Sequence, residues 1–90
     1  MCGLVGLLLK ENKDNYDFFN QMVKAISHRG PDNTDMWKSI DEQVLLGHVR
    51  LSILDLSKNG NQPMVSHSER YIIIYNGEIY NHLEIRDKIL

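Results

Sequence analysis

MCGLVGLLLK, residues 1–10, decides how the rest of the chain is read. Residues 3–10 form a continuous apolar run closed by Lys10, which suits a strand buried on both faces. The run is too short to cross a bilayer and no basic residue precedes it, so neither a membrane span nor a signal peptide is expected. Just ahead of it lies Cys2, next to the initiator Met1 and the only cysteine in the chain. If Met1 is removed, Cys2 carries a thiol and a free α-amine on the same carbon. A thiol attacks as the thiolate and needs a base to become one. An N-terminal amine titrates near pH ~8, so it can take that proton without special burial. Cys2 can therefore supply nucleophile and base together. The competing interpretation is a small buried hydrophobe at the start of a strand.

Working outward, 90 residues make one domain at most. A chain of that size buries about 60–65% of its unfolded surface, so its stability is marginal without partners. A net charge of −2 with scattered basic residues gives no reason to invoke nucleic acid or an anionic membrane. A lone cysteine cannot form an internal disulfide, and a cytoplasmic location is the default expectation. The chain stops on Ile89-Leu90 inside a helical pattern with no C-cap glycine, so it is read as the N-terminal piece of a longer polypeptide.

Residues 15–27 carry Phe19, Met22, Val23 and Ile26 at helical spacing, which predicts an amphipathic helix. HRGPD at 28–32 breaks that pattern. Residues 43–54 read as one long strand or two, interrupted at Gly47, and 57–63 as loop. Residues 71–75 favour a strand, and Asn76-Gly77 follows as a hairpin signal with residues 78–80 returning. Asn81 and Glu84 form a variant capping box opening a helix through Leu90. Layered α and β with a mostly antiparallel sheet is the expected class, α+β.

A Cys2 nucleophile would generate a tetrahedral oxyanion that wants two fixed donors about 3 Å away. Asn76 offers a side-chain NH₂ and Gly77 an unshielded backbone N–H, though the pair could equally be a plain turn. Arg50 lies between Val49 and Leu51 in an apolar strand, where an arginine needs a partner. Its planar fork suits a carboxylate, from the protein or from a substrate. His28, His48, His67 and His82 lack ligand spacing, so no metal site is expected. His28 and Arg29 belong to a loop that is either hydrogen-bonded or substrate-facing. No glycine-rich phosphate loop is present.

Together these features match a known pattern. MCGLVG at 1–6, HRGPD at 28–32, GHVRLSILD at 47–55, GNQPM at 60–64 and YNGEIYNHLEIR at 75–86 occur in order over essentially the whole chain. The chain resembles the N-terminal glutaminase domain of glutamine-hydrolysing asparagine synthetases, class II amidotransferases of the N-terminal-nucleophile (Ntn) hydrolase superfamily. The resemblance implies a four-layer αββα sandwich with mostly antiparallel sheets, incomplete in residues 1–90. It implies Cys2 as nucleophile, Arg50 as the grip on the glutamine α-carboxylate, and Asn76 and Gly77 as oxyanion donors. Glu78 falls near the substrate amino group, and Leu51 and Ile53 line the glutamine pocket with main chain.

The implied reaction takes L-glutamine and water to glutamate and ammonia through a Cys2 thioester. No cofactor is implied for this chain. ATP and Mg²⁺ belong to a C-terminal synthetase domain of the same polypeptide, where the ammonia meets an activated aspartate. Amidotransferases of surface-polysaccharide or natural-product pathways share this front end and stand as the alternative acceptor class. A second alternative is a catalytically inert fragment that associates with itself, as a homodimer, through exposed strand edges.

Overall fold

The computed structural model describes residues 2–10, 16–53 and 56–90. Met1, Asn15 at the expected start of the first helix, and Leu54 and Asp55 at the end of the expected second strand region lie outside the described residues. In chain order the elements are β1 (Gly3–Leu8), α1 (Tyr16–Ala25), a 3₁₀ turn (Ser27–Arg29), β2 (Asn33–Lys38) and β3 (Val44–Arg50). A second 3₁₀ turn (Lys58–Gly60), β4 (Met64–Val65), β5 (Ile72–Ile73) and α2 (His82–Ile89) follow. The fold is α+β with antiparallel sheets, as expected: three strands in the order β1-β3-β2, and a separate β4-β5 pair.

β3 is the organising element. Gly3 of β1 pairs with Val49 and Thr34 of β2 pairs with Val49 from the other side, so β3 is flanked along its length. Side chains alternate across a strand. Leu45 and Val49 therefore face α1 and form the core with Phe19 and Val23, supported by Val5, Leu7, Leu9, Tyr16, Met22 and Ile26. Burying a side chain such as Phe19 or Val23 is worth roughly 1.5–3 kcal/mol, so α1 is held by its apolar stripe more than by intrinsic helix preference. Leu46, His48 and Arg50 point to the opposite face.

Several expectations are corrected here. β1 is not buried on both faces: its residues alternate, and Leu4 and Leu8 are 42% and 79% exposed. α1 covers only one face of the sheet, which explains the alternation. Of the two alternatives left open for this region, one strand or two, the single strand holds: β3 runs straight through Gly47. β2 has no counterpart in the sequence reading, because NTDMWK mixes polar and apolar residues on both of its faces and so lacks a period-2 signal.

The Asn76-Gly77 hairpin does not form, and residues 78–80 return no strand. A type I′ turn needs positive φ at both central residues, and neither Asn76 nor Gly77 has it. β5 instead pairs backwards with β4. The turn between them carries the positive φ at Glu69 (63°) and is closed by Ser66 N–H donating to Tyr71 O at 2.8 Å. Asn81 does sit at the N-cap of α2, but its side chain makes no capping bond. Its backbone (φ −101°, ψ 32°) is outside the extended region from which a cap side chain reaches the first turn.

Candidate active site

Cys2 immediately precedes β1, and the β1–β3 register brings it beside the end of β3. Its Sγ accepts a hydrogen bond from Leu51 N–H at 3.3 Å and lies 3.7 Å from Leu51 O, to which the thiol can donate.

The HRGPD segment braces this junction from behind. Arg29 Nε donates to Cys2 O at 3.0 Å. Asp32 N–H donates to Arg50 O at 2.9 Å, and its carboxylate accepts Ser52 N–H at 2.7 Å. Of the two interpretations left open for this loop, the hydrogen-bonded one describes Arg29 and Asp32.

Arg50, 7% exposed, is anchored from the far side of the cleft. Its guanidinium Nη1 donates to Ser57 O and to Asn61 Oδ1 at 2.8 Å. Gly60 lies flat against the guanidinium: a Cβ there would stand 2.4 Å from Nη2. The loop after β3 thus folds back to clasp the arginine that β3 presents.

Asn76 and Gly77 follow β5 and are exposed. Their direction is set by Tyr75, whose N–H donates to Gln62 Oε1 at 2.5 Å and whose carbonyl lies 3.2 Å from His48 Nε2. His48 is fully buried, and its Nδ1 has no hydrogen-bond partner. Burial pushes its pKa below the usual imidazole range and the nearby Arg50 charge adds to this, while the Tyr75 carbonyl opposes them.

One cleft of about 440 Å³ gathers Cys2, Arg50, Leu51, Ile53, Asn76, Gly77 and Glu78, every site residue expected from the sequence. His48, Gly60, Gln62, Tyr75 and Tyr80 also line it, and the sequence reading assigned none of them a role there. For His48 a signal existed: it sits two residues before Arg50 in β3, on the face turned away from the Leu45 and Val49 core. Chemically the cleft brings together a thiol, a guanidinium and amide N–H groups. Among the described residues no group of three or more His, Cys, Asp and Glu could hold a metal ion. No described helix is long and apolar enough to cross a membrane.

The family model of the glutamine amidotransferase domain matches residues 1–90. The chain is similar to asparagine synthetase [glutamine-hydrolyzing] 1 of Bacillus subtilis, at 43% identity over 99% of this chain and 14% of that protein. It is similar to a putative asparagine synthetase [glutamine-hydrolyzing] 2 of Methanocaldococcus jannaschii, at 39% identity over 98% of this chain and 20% of that protein. The amidase chry2 of Gibberella zeae is 49% identical over 67% of this chain and 9% of its own length. No solved structure matches the chain. The chain therefore spans between 14% and 20% of the length of these two synthetase relatives.

Proposed function

This chain belongs to the glutamine amidotransferase domain family, and from that premise we propose that it forms the glutamine-hydrolysing site of an asparagine synthetase. The observation that carries the reading is the meeting of Cys2, Arg50, Asn76, Gly77 and Glu78 in one cleft. With Met1 removed, the Cys2 α-amine takes the thiol proton, directly or through water, and Sγ attacks the side-chain amide carbon of L-glutamine. Leu51 N–H, at 3.3 Å from Sγ, orients the sulfur at the mouth of the pocket. Asn76 Nδ2–H and Gly77 N–H hold the oxyanion, the protonated amine hands its proton to the leaving nitrogen, and ammonia departs. Water then cleaves the glutamyl thioester to release glutamate. Arg50 grips the substrate α-carboxylate, Leu51 and Ile53 line the pocket, and Glu78 faces the α-ammonium.

The reading extends to the fold and the partner. β1-β3-β2 with α1 would form two layers of a four-layer Ntn-hydrolase sandwich, with β4-β5 and α2 contributing to the other two. Ammonia would pass to aspartate activated in a synthetase domain of a longer polypeptide. ATP and Mg²⁺ would belong to that domain; the sequence here carries no glycine-rich phosphate loop. Similarity to the amidase chry2 supports one variant of the reading, in which the same front end serves an acceptor other than aspartate.

The test is Cys2→Ala in the full-length polypeptide. Glutamine-dependent synthesis should be abolished while ammonia-dependent synthesis persists. Loss of both would mean that Cys2 is a structural residue and would refute the assignment.

A further inference from the structure

The bonds at Tyr75 have a consequence for the donors that follow it. Gln62 Oε1 accepts the Tyr75 N–H at 2.5 Å, and His48 Nε2 lies 3.2 Å from the Tyr75 carbonyl. These groups belong to the two peptide planes on either side of the Tyr75 Cα. Pinning both planes fixes φ and ψ of Tyr75, and with them the direction in which Asn76 leaves the strand. Each pin is itself anchored. His48 is fully buried in the central strand β3, two residues before Arg50. Gln62 follows Asn61, whose Oδ1 accepts from Arg50 at 2.8 Å.

The imidazole protonation fits this task. A carbonyl can only accept, so Nε2 must carry the proton. Nδ1, buried and without a partner, is then a bare lone pair, the cheaper of the two groups to leave unsatisfied. His48 is thus a neutral Nε2–H donor held in one orientation.

The geometry points to His48 and Gln62 as positioning residues that clamp the Tyr75 backbone and aim the Asn76-Gly77 donors at the substrate oxyanion. This rests on the proposed glutaminase reading. Oxyanion donors act by pre-set geometry, and a misplacement of about 1 Å can cost ~100-fold in rate. Neither residue need touch glutamine for its loss to be felt in the chemical step.

The experiment compares His48→Gln with His48→Asn in the full-length polypeptide. The glutamine amide can put an N–H near the original Nε2, whereas the shorter asparagine amide reaches only the Nδ1 position. His48→Gln should keep kcat for glutamine hydrolysis within about threefold, and His48→Asn should lose about 10–100-fold in kcat with KM within about threefold. Gln62→Met, which removes the acceptor at similar size, should repeat the His48→Asn pattern. Alkylation of Cys2 by iodoacetamide, which needs no oxyanion support, should proceed at the same rate in all three variants. Equal kcat in His48→Asn and His48→Gln overturns the clamp. So does a parallel loss of kcat and alkylation, which a collapsed site would produce. Glutamine hydrolysis that survives Cys2→Ala overturns the underlying reading instead.

Discussion

Gly60 shows how a residue without a side chain can set the chemistry of another. A Cβ at this position would stand 2.4 Å from Arg50 Nη2 and 2.7 Å from Cζ. The guanidinium is held by Ser57 O and Asn61 Oδ1, so it cannot yield without losing those bonds. Gly60→Ala should therefore raise KM for glutamine about tenfold, the loss of roughly one good charged hydrogen bond. Steady-state kinetics check it, and an unchanged KM would separate Arg50 from substrate binding. His48 makes a second prediction, on stability. The groups facing it are Arg50 on its own strand, Asp35 and Leu4 opposite in register, and the Tyr75 carbonyl. With its folded pKa below 6.5, the unfolded chain binds more protons than the folded one as pH falls through that value. Stability should then decline on acidification from about pH 7.5 to about pH 5.5. Thermal unfolding of the protein and of His48→Gln at both values should show the smaller decline in the variant; equal declines would contradict it. At this scale the sequence was most legible. Cys2, Arg50 and Asn76-Gly77 stand out by residue type and position, and one cleft gathers them. His48 and Gln62 went unread because their work is done on another residue's backbone, which no local pattern reveals.

Among the elements, β3 was legible as a β-favouring run and α1 as an amphipathic period. β2 was not, since its partner strand and not its own pattern defines its faces. The pairing of β5 with β4 was also hidden, because Asn76-Gly77 is the stronger turn signal by composition while the backbone there takes no positive φ. HRGPD also needed the structure to explain it. Gly30 packs so closely on β3 that a Cβ would lie 2.3 Å from the carbonyl carbon of Val49. Gly30→Ala should destabilise the protein by about 1–3 kcal/mol, in the manner of overpacking, and lower activity with it. Denaturant unfolding measures this, and an unchanged midpoint would mean that the loop is not seated as described. The elements should also differ in hydrogen exchange. Amides of β3, paired on both sides over the core, should be the slowest, and those of α2, all of whose residues are exposed, among the fastest. Comparable protection in both would show that α2 is held by contacts absent from this chain's fold.

The whole molecule has a radius of gyration of 14.5 Å, against about 12 Å for a compact chain of this length. Its shortest extent is 18 Å, the depth of one helix layer on one sheet. The core lies on one side of β3 and the cleft on the other, so the strand that stabilises the fold also presents Arg50 and His48. The family was legible from five ordered motifs, whereas no motif in residues 1–90 distinguishes one ammonia acceptor from another. The glutaminase account comes down to the amino terminus. The most direct measurement is peptide mass spectrometry of the full-length protein acid-quenched during glutamine turnover. The account predicts an amino-terminal peptide that begins at Cys2 and carries a glutamyl thioester. Active protein whose terminal peptide still begins at Met1, or an acyl group found on any other residue, would contradict it.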